Sequence, residues 1–168
     1  SVGTSGRAAL RFSQKFARPG ETLDLSLHRS ISHQHEHYDY TNESFVPATQ
    51  DFYNNLSFWE DHGIAEAGAD YVLPLSKTRT LKLGYSFEQD DYGFRNIGEN
   101  VDPSSGVATV DPSLTNDFKY HQRIHAAYGS YQAIVGSWTW LGGLRAEWTT
   151  TDALQLTNNL ANAGHYFE

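Results

Sequence analysis

The sequence predicts an all-β fold: antiparallel, up-and-down transmembrane strands, about six in this chain, that form part of a β-barrel. Three observations lead there. Apolar and polar residues alternate with period two in six separate stretches, which is strand periodicity and does not fit the 3.6-residue repeat of a helix. The connections between those stretches alternate short and long. The segment "WTWLGGLRAEWTT", residues 138 to 150, carries tryptophan at both ends of one apolar face.

In the first stretch Ala8, Leu10, Phe12 and Phe16 oppose Arg7, Arg11, Ser13 and Lys15. After "ARPGE", Leu23, Leu25, Leu27 and Ile31 oppose Asp24, Ser26, His28 and Ser30. The third stretch sets Ala65, Ala67, Ala69, Tyr71 and Leu73 against Glu66, Gly68, Asp70 and Val72. After "SKTR", Leu81, Leu83, Tyr85 and Phe87 oppose Lys82, Gly84, Ser86 and Glu88. In the fifth, Phe118, Tyr120, Ile124, Ala126 and Tyr128 oppose Lys119, His121, Arg123 and His125, and the tryptophan stretch is the sixth. The links "ARPGE", "SKTR" and "AIVGS" are short, whereas 41 to about 57, 92 to 116 and 151 onward are long. In an up-and-down sheet every second link falls on the same side, so all long links share one end, as in outer-membrane barrels.

The tryptophans give the height of the apolar band. Trp138 and Trp148 are about 33 Å apart along a strand, and a tilt near 40° projects this to roughly 25 Å, the band of a transmembrane barrel. Tryptophan suits both edges, because the ring buries in the acyl boundary while the indole N–H reaches water or headgroups. Arg145 and Glu147, on the opposite face, are then expected in a watery lumen. Arg29 resists the pattern: it shares parity with Leu25, Leu27 and Ile31 and needs a bulge or an upward-reaching side chain to escape lipid.

Composition excludes several classes. The 168 residues hold no cysteine, so disulfides and thiolate chemistry are absent. A net charge of −8 gives no attraction to nucleic acid, which needs clustered Lys and Arg. There is no run of about 18 apolar residues for a spanning helix, and barrel strands do not require one. No nucleophile elbow, phosphate-binding loop or "HExxH" occurs, so no catalytic residue and no cofactor are expected.

The segments "DYVLPLSKTRTLKLGYSFE", "NDFKYHQRIHAAYGSYQ" and "WLGGLRAEWT", in that order, resemble the outer-membrane β-barrel region of TonB-dependent receptors. The resemblance implies a bacterial outer-membrane location, a barrel of about 22 strands, and uptake of a scarce, bulky nutrient such as a metal chelate or an oligosaccharide. It also implies outer-membrane lipid, a plug domain and the TonB energy-transducing complex as partners. Six strands are too few to close a membrane barrel, so residues 1–168 are expected to be a partial barrel domain, without plug, signal peptide or C-terminal strands. The rival reading is a soluble all-β carbohydrate-binding module.

Three groups of side chains are candidates for chemistry. His33, His35 and His37 share one face, and imidazoles so placed suit a transition metal. Three along an extended strand span about 13 Å, so an ion would take two of them with a loop ligand; the plainer reading is a polar strand extension above the membrane. Arg123, His125, Arg145 and Glu147 are expected to line the lumen, with Arg123 level with Glu147 across a turn near Val135. Phe58, Trp59, Tyr92 and Phe94, with Asp90, Asp91 and Glu99, are expected near the long loops as ring and carboxylate contacts for substrate.

Overall fold

The computed structural model describes residues 1–42, 52–157 and 160–167. Among these residues, eight strands form one antiparallel sheet: β1 (Val2–Lys15), β2 (Thr22–Asn42), β3 (Phe52–Ser76), β4 (Arg79–Val101), β5 (Ala108–Val110), β6 (Asn116–Val135), β7 (Trp138–Gln155) and β8 (Leu160–Phe167). The spatial order is β1-β2-β3-β4-β6-β7-β8, with short β5 folded back on β4. The sheet is therefore an up-and-down meander with open edges at β1 and β8 among the described residues.

The strands are longer than the alternation suggests. β3 has 25 residues, where about 9–11 suffice to cross the hydrocarbon, so much of it stands clear of the bilayer. Outside lipid nothing enforces apolar–polar alternation, which is why the pattern fades while the strand continues. Accordingly β4 takes in Tyr92 to Val101, β7 runs on to Gln155, and β8 occupies a segment expected to be loop. Of the expected loop from 41 to 57, residues 43–51 lie outside the described residues.

Cross-strand partners point to the same side of an antiparallel pair, so the register assigns both faces. One face carries Leu10 and Phe12, Leu25 and Leu27, Ala67 and Ala69, Leu83 and Tyr85, Ala127 and Gly129, and Leu144 and Trp148. Its large side chains are bare: Leu144 is 87% exposed and Trp138 73%. In water such a face would be an aggregation surface; in lipid it is solvated. From β2 to β6 the apolar stretch moves toward the short-turn end relative to the register. A flat membrane demands that stagger of tilted strands.

The β6–β7 register corrects one expectation. The connection is the two-residue turn Gly136–Ser137, with Gly136 at φ +61 as primed hairpin turns require, and Val135 pairs with Trp138. Arg123 is level with Thr150 and Glu147 with Ala126, so Arg123 and Glu147 lie on opposite faces. Arg123 and His125 share the tryptophan face rather than the face of Arg145 and Glu147. His125 lies between Phe87, at 4.9 Å between ring centroids, and Tyr85, whose hydroxyl is 2.7 Å from Nδ1. An odd shift in register exchanges every side chain between faces, and the turn centre was misplaced by enough to produce one. Arg145 instead binds its own neighbour Glu147, Nη2 to Oε2 at 2.9 Å.

Arg29 escapes without a bulge, since both its ladders are continuous. Its guanidinium reaches toward the long-loop end and occupies the space above Gly63, where Nη2 would be 3.2 Å from a Cβ. Snorkelling of this kind leaves the stem in the apolar zone and the charge outside it.

Beyond β4 the chain is fixed by Asp102. Its carboxylate accepts from Ser104 N at 2.8 Å, Ser104 Oγ at 2.6 Å and Ser105 N at 2.8 Å. These bonds, led by that of the Ser104 hydroxyl, hold its pKa down at about 2 against an ordinary 3.8. A depressed pKa stabilises the loop above the ordinary value and ceases to do so as pH falls through the folded value. Amide exchange at Ser104 and Ser105 should thus be protected at neutral pH and lose protection between about pH 4 and 2. Loss of protection at pH 5 would contradict this.

Candidate ligand site on the polar face

The face opposite the tryptophans is mainly polar, with Ile64, Ile124 and Ala126 scattered through it, and becomes aromatic beyond the apolar band. Three cross-strand rows build this region: Gln34–Glu60–Phe94, Glu36–Phe58–Asn96 and Tyr38–Leu56–Gly98. Alternation along "QHEHYDY" puts Gln34, Glu36, Tyr38 and Tyr40 on this face and the intervening histidines on the other. Gln34, Glu36, Tyr38, Tyr40, Phe58, Glu60 and Phe94 line a cavity of about 400 Å³.

The rings form a connected wall. Tyr38 meets Tyr40 at 6.0 Å and Phe58 edge-on at 5.8 Å, and Phe58 meets Phe94 at 6.2 Å. Glu36 is tied into it: Tyr38 donates its hydroxyl to Oε2 at 2.5 Å and Gln34 donates Nε2 to Oε1 at 2.8 Å. The bond from Tyr38, then that from Gln34, lowers the Glu36 pKa, and the same bond raises that of Tyr38. The carboxylate therefore stays ionised beside the aromatic edges. Nearer the membrane on the same face, His62 Nε2 contacts Asp90 Oδ1 at 2.9 Å and packs edge-on against Tyr92 at 5.9 Å.

The expected contact residues are divided by the strand. Asp90, Tyr92 and Phe94 belong to the polar face, whereas Trp59 and Asp91 belong to the other. There His35 stacks on Trp59 at 4.8 Å and the Arg95 guanidinium lies 5.6 Å from the same ring. Glu99 also lies on that other face, because β3 and β4 stay paired through Val101 and strand parity holds along their whole length. Phe58, one of the expected rings, stands on the polar face with Glu36, Tyr38, Tyr40 and Glu60; those four are not among the expected contacts, although the alternation of "HEHYDY" together with the β2–β3 register finds them.

The histidine run has separate partners: His33 Nδ1 meets Asp61 Oδ1 at 2.5 Å, and His37 meets Ser57 and Asp39 at 2.7 and 2.9 Å. Among the described residues no three His, Cys, Asp or Glu side chains converge on a common point suited to an ion. A second hollow, of about 630 Å³, lies mainly on the tryptophan face, among Arg29, His33, Asp61, Asp91, Lys119 and His121; Asp91 and His121 are hydrogen-bonded there.

The sequence profile of the outer membrane protein beta-barrel family matches residues 14–168. The chain belongs to that family. Membership places it in the outer membrane and accounts for the bare apolar face as a lipid-facing wall. Among solved structures, the fold is similar to the crystal structure of the ferric citrate transporter FecA in its unliganded form, with TM-score 0.56 and 13% identity. That match covers 99% of this chain and 24% of FecA, so the chain spans about a quarter of the length of the structure it matches. At this identity the likeness is one of fold. No curated protein sequence matches the chain. The outer-membrane β-barrel read from the sequence is thus borne out by the family, and the likeness to a receptor barrel is borne out as one of fold; a soluble module is set aside.

Proposed function

We propose that this chain is a wall segment of an energised uptake transporter that brings a scarce, bulky nutrient, a metal chelate or an oligosaccharide, through the barrel lumen. The observation that carries this reading is the line of polar and charged side chains along one face of the sheet. It runs from the aromatic cavity at the long-loop end, past His62 and Asp90, to Tyr128, Asp70 and Arg145 near the short turns. On a lipid-facing wall the opposite face borders the lumen, and such a face is wettable along its length. In this reading further strands close the barrel, a plug fills it, the TonB complex supplies the energy, and the wall has no catalytic activity of its own.

Sidedness tests it. An epitope inserted at Ser105, in the link between β4 and β6, should be reached by antibody on intact cells, because long links face outward. One inserted in the Gly136–Ser137 turn should be reached only after permeabilisation. Equal labelling of both on intact cells would refute the topology, and ligand accumulation that persists without TonB would refute energised uptake.

A further inference from the structure

We propose that the aromatic cavity on the polar face selects a cationic ligand, specifically an oligosaccharide bearing ammonium groups, and rejects anionic ones. This rests on the uptake reading above for its setting, and on charge and ring geometry for its content.

Charge is the first support. From Arg29 to Lys77 the sequence holds no intervening Lys or Arg, and the same is true from Arg95 to Lys119 and after Arg145. The polar face of β2, β3 and β4 beyond Lys82 carries Glu36, Glu60, Glu66, Glu88 and Asp90 with no Lys or Arg. Arg95 and Lys119 lie on the opposite face, and the polar-face cations Arg7, Arg11, Lys15, Lys82 and Arg145 lie on β1 or toward the short turns. Like charges focused in a cleft exclude an anion before any contact forms. A carboxylate-rich ferric chelate, which carries negative charge, meets this field with the wrong sign.

Geometry is the second. Glu36 is positioned by two donated hydrogen bonds and retains acceptor capacity, since a carboxylate has about four lone-pair sites. Glu60 is exposed in the row below it, opposite Phe94. Tyr38 and Tyr40 are 42% and 45% exposed, so their rings are open to stacking. An ammonium beside these faces gains from the ring quadrupole as well as from the carboxylates. A sugar ring supplies the apolar C–H face for stacking, and its hydroxyls can donate to Glu36. Ring wall, fixed carboxylate and missing cations together fit an amino-sugar chain.

The test uses the full-length protein in outer-membrane vesicles, with vesicles lacking it as the background. Three fluorescent probes of equal length are compared: a glucosamine oligosaccharide, its N-acetylated neutral counterpart and an oligogalacturonate. The cationic probe should bind about tenfold tighter than the neutral one for each carboxylate it engages, and the anionic probe should not bind above background. Glu36→Gln with Glu60→Gln should abolish the preference for cation over neutral, whereas Phe58→Ala should weaken both. Anionic binding equal to or tighter than cationic, no preference between cationic and neutral, no binding of any probe, or a preference that survives both glutamine substitutions would overturn the proposal. If a variant fails to reach the membrane, as judged by heat-modifiable gel migration, the three-probe comparison on the unmodified protein decides. Anionic binding with TonB-dependent uptake intact would remove this inference alone; cation-selective binding without energised uptake would remove only the transport reading.

Discussion

Leu144→Arg is expected to destabilise the wall by about 2–4 kcal/mol, the cost of an arginine on the lipid face near mid-height of a barrel. Leu144 is 87% exposed, so a substitution there creates no cavity and breaks no hydrogen bond. In water the change would be close to neutral. The entire effect therefore reports the surrounding solvent. Leu144 lies between Trp140 and Trp148 on the bare face, farther from either edge than the long Arg stem spans without distortion. Equilibrium unfolding of the full-length protein in lipid vesicles, compared by midpoint at constant denaturant slope, would measure it. Nitroxide labels at Leu83, Tyr85, Leu144 and Trp148 should in parallel be accessible to oxygen and shielded from a nickel chelate. A neutral Leu144→Arg would mean that this face meets water or protein instead.

Gly84→Val should cost about 1–3 kcal/mol, the usual range for forcing extra atoms into a packed site. Gly84 is cross-strand from Tyr128, and the Tyr128 ring occupies the space beside it: a Cβ on Gly84 would clash with Tyr128 Cζ and Cε2. The ring can swing away, but it would then lose the bond from its hydroxyl to Asp70 Oδ1 at 2.5 Å and its place beneath the Arg145 guanidinium, 5.8 Å from the centroid. An aromatic ring shielding a strand glycine is a known way to pin register. Tyr128→Ala combined with Gly84→Val should recover much of the clash cost, giving a favourable coupling in the double-mutant cycle. Strict additivity of the two changes would show that the ring does not depend on the glycine.

Legibility in the sequence followed the solvent. Where strands cross lipid, one face must be apolar, so Leu23 to Leu27, Leu81 to Phe87 and Trp138 to Trp148 declared both strand and face. Above the band that demand ends. Tyr92 to Val101 and Leu160 to Phe167 pair in the sheet through backbone bonds, which leave no mark on side-chain order. The candidate site lies in that region, and so its rings were read as loop residues and assigned without parity. Tyr38 and Phe58 are twenty residues apart in the chain, and only the β2–β3 ladder makes them neighbours.

Alternation, link length and interfacial tryptophan are local consequences of the bilayer, so an all-β chain, a meander with its long links at one end and a lipid-facing side are all legible in the order of residues alone. Register emerges from the folded sheet: there Arg123 and His125 share the tryptophan face, Glu147 does not face Arg123, and Glu36, Tyr38, Phe58, Glu60 and Phe94 surround one cavity. The physical reason is that side chains change face at every residue of a strand. One residue more or less in a turn such as Gly136–Ser137 is negligible along the chain and decisive across the sheet.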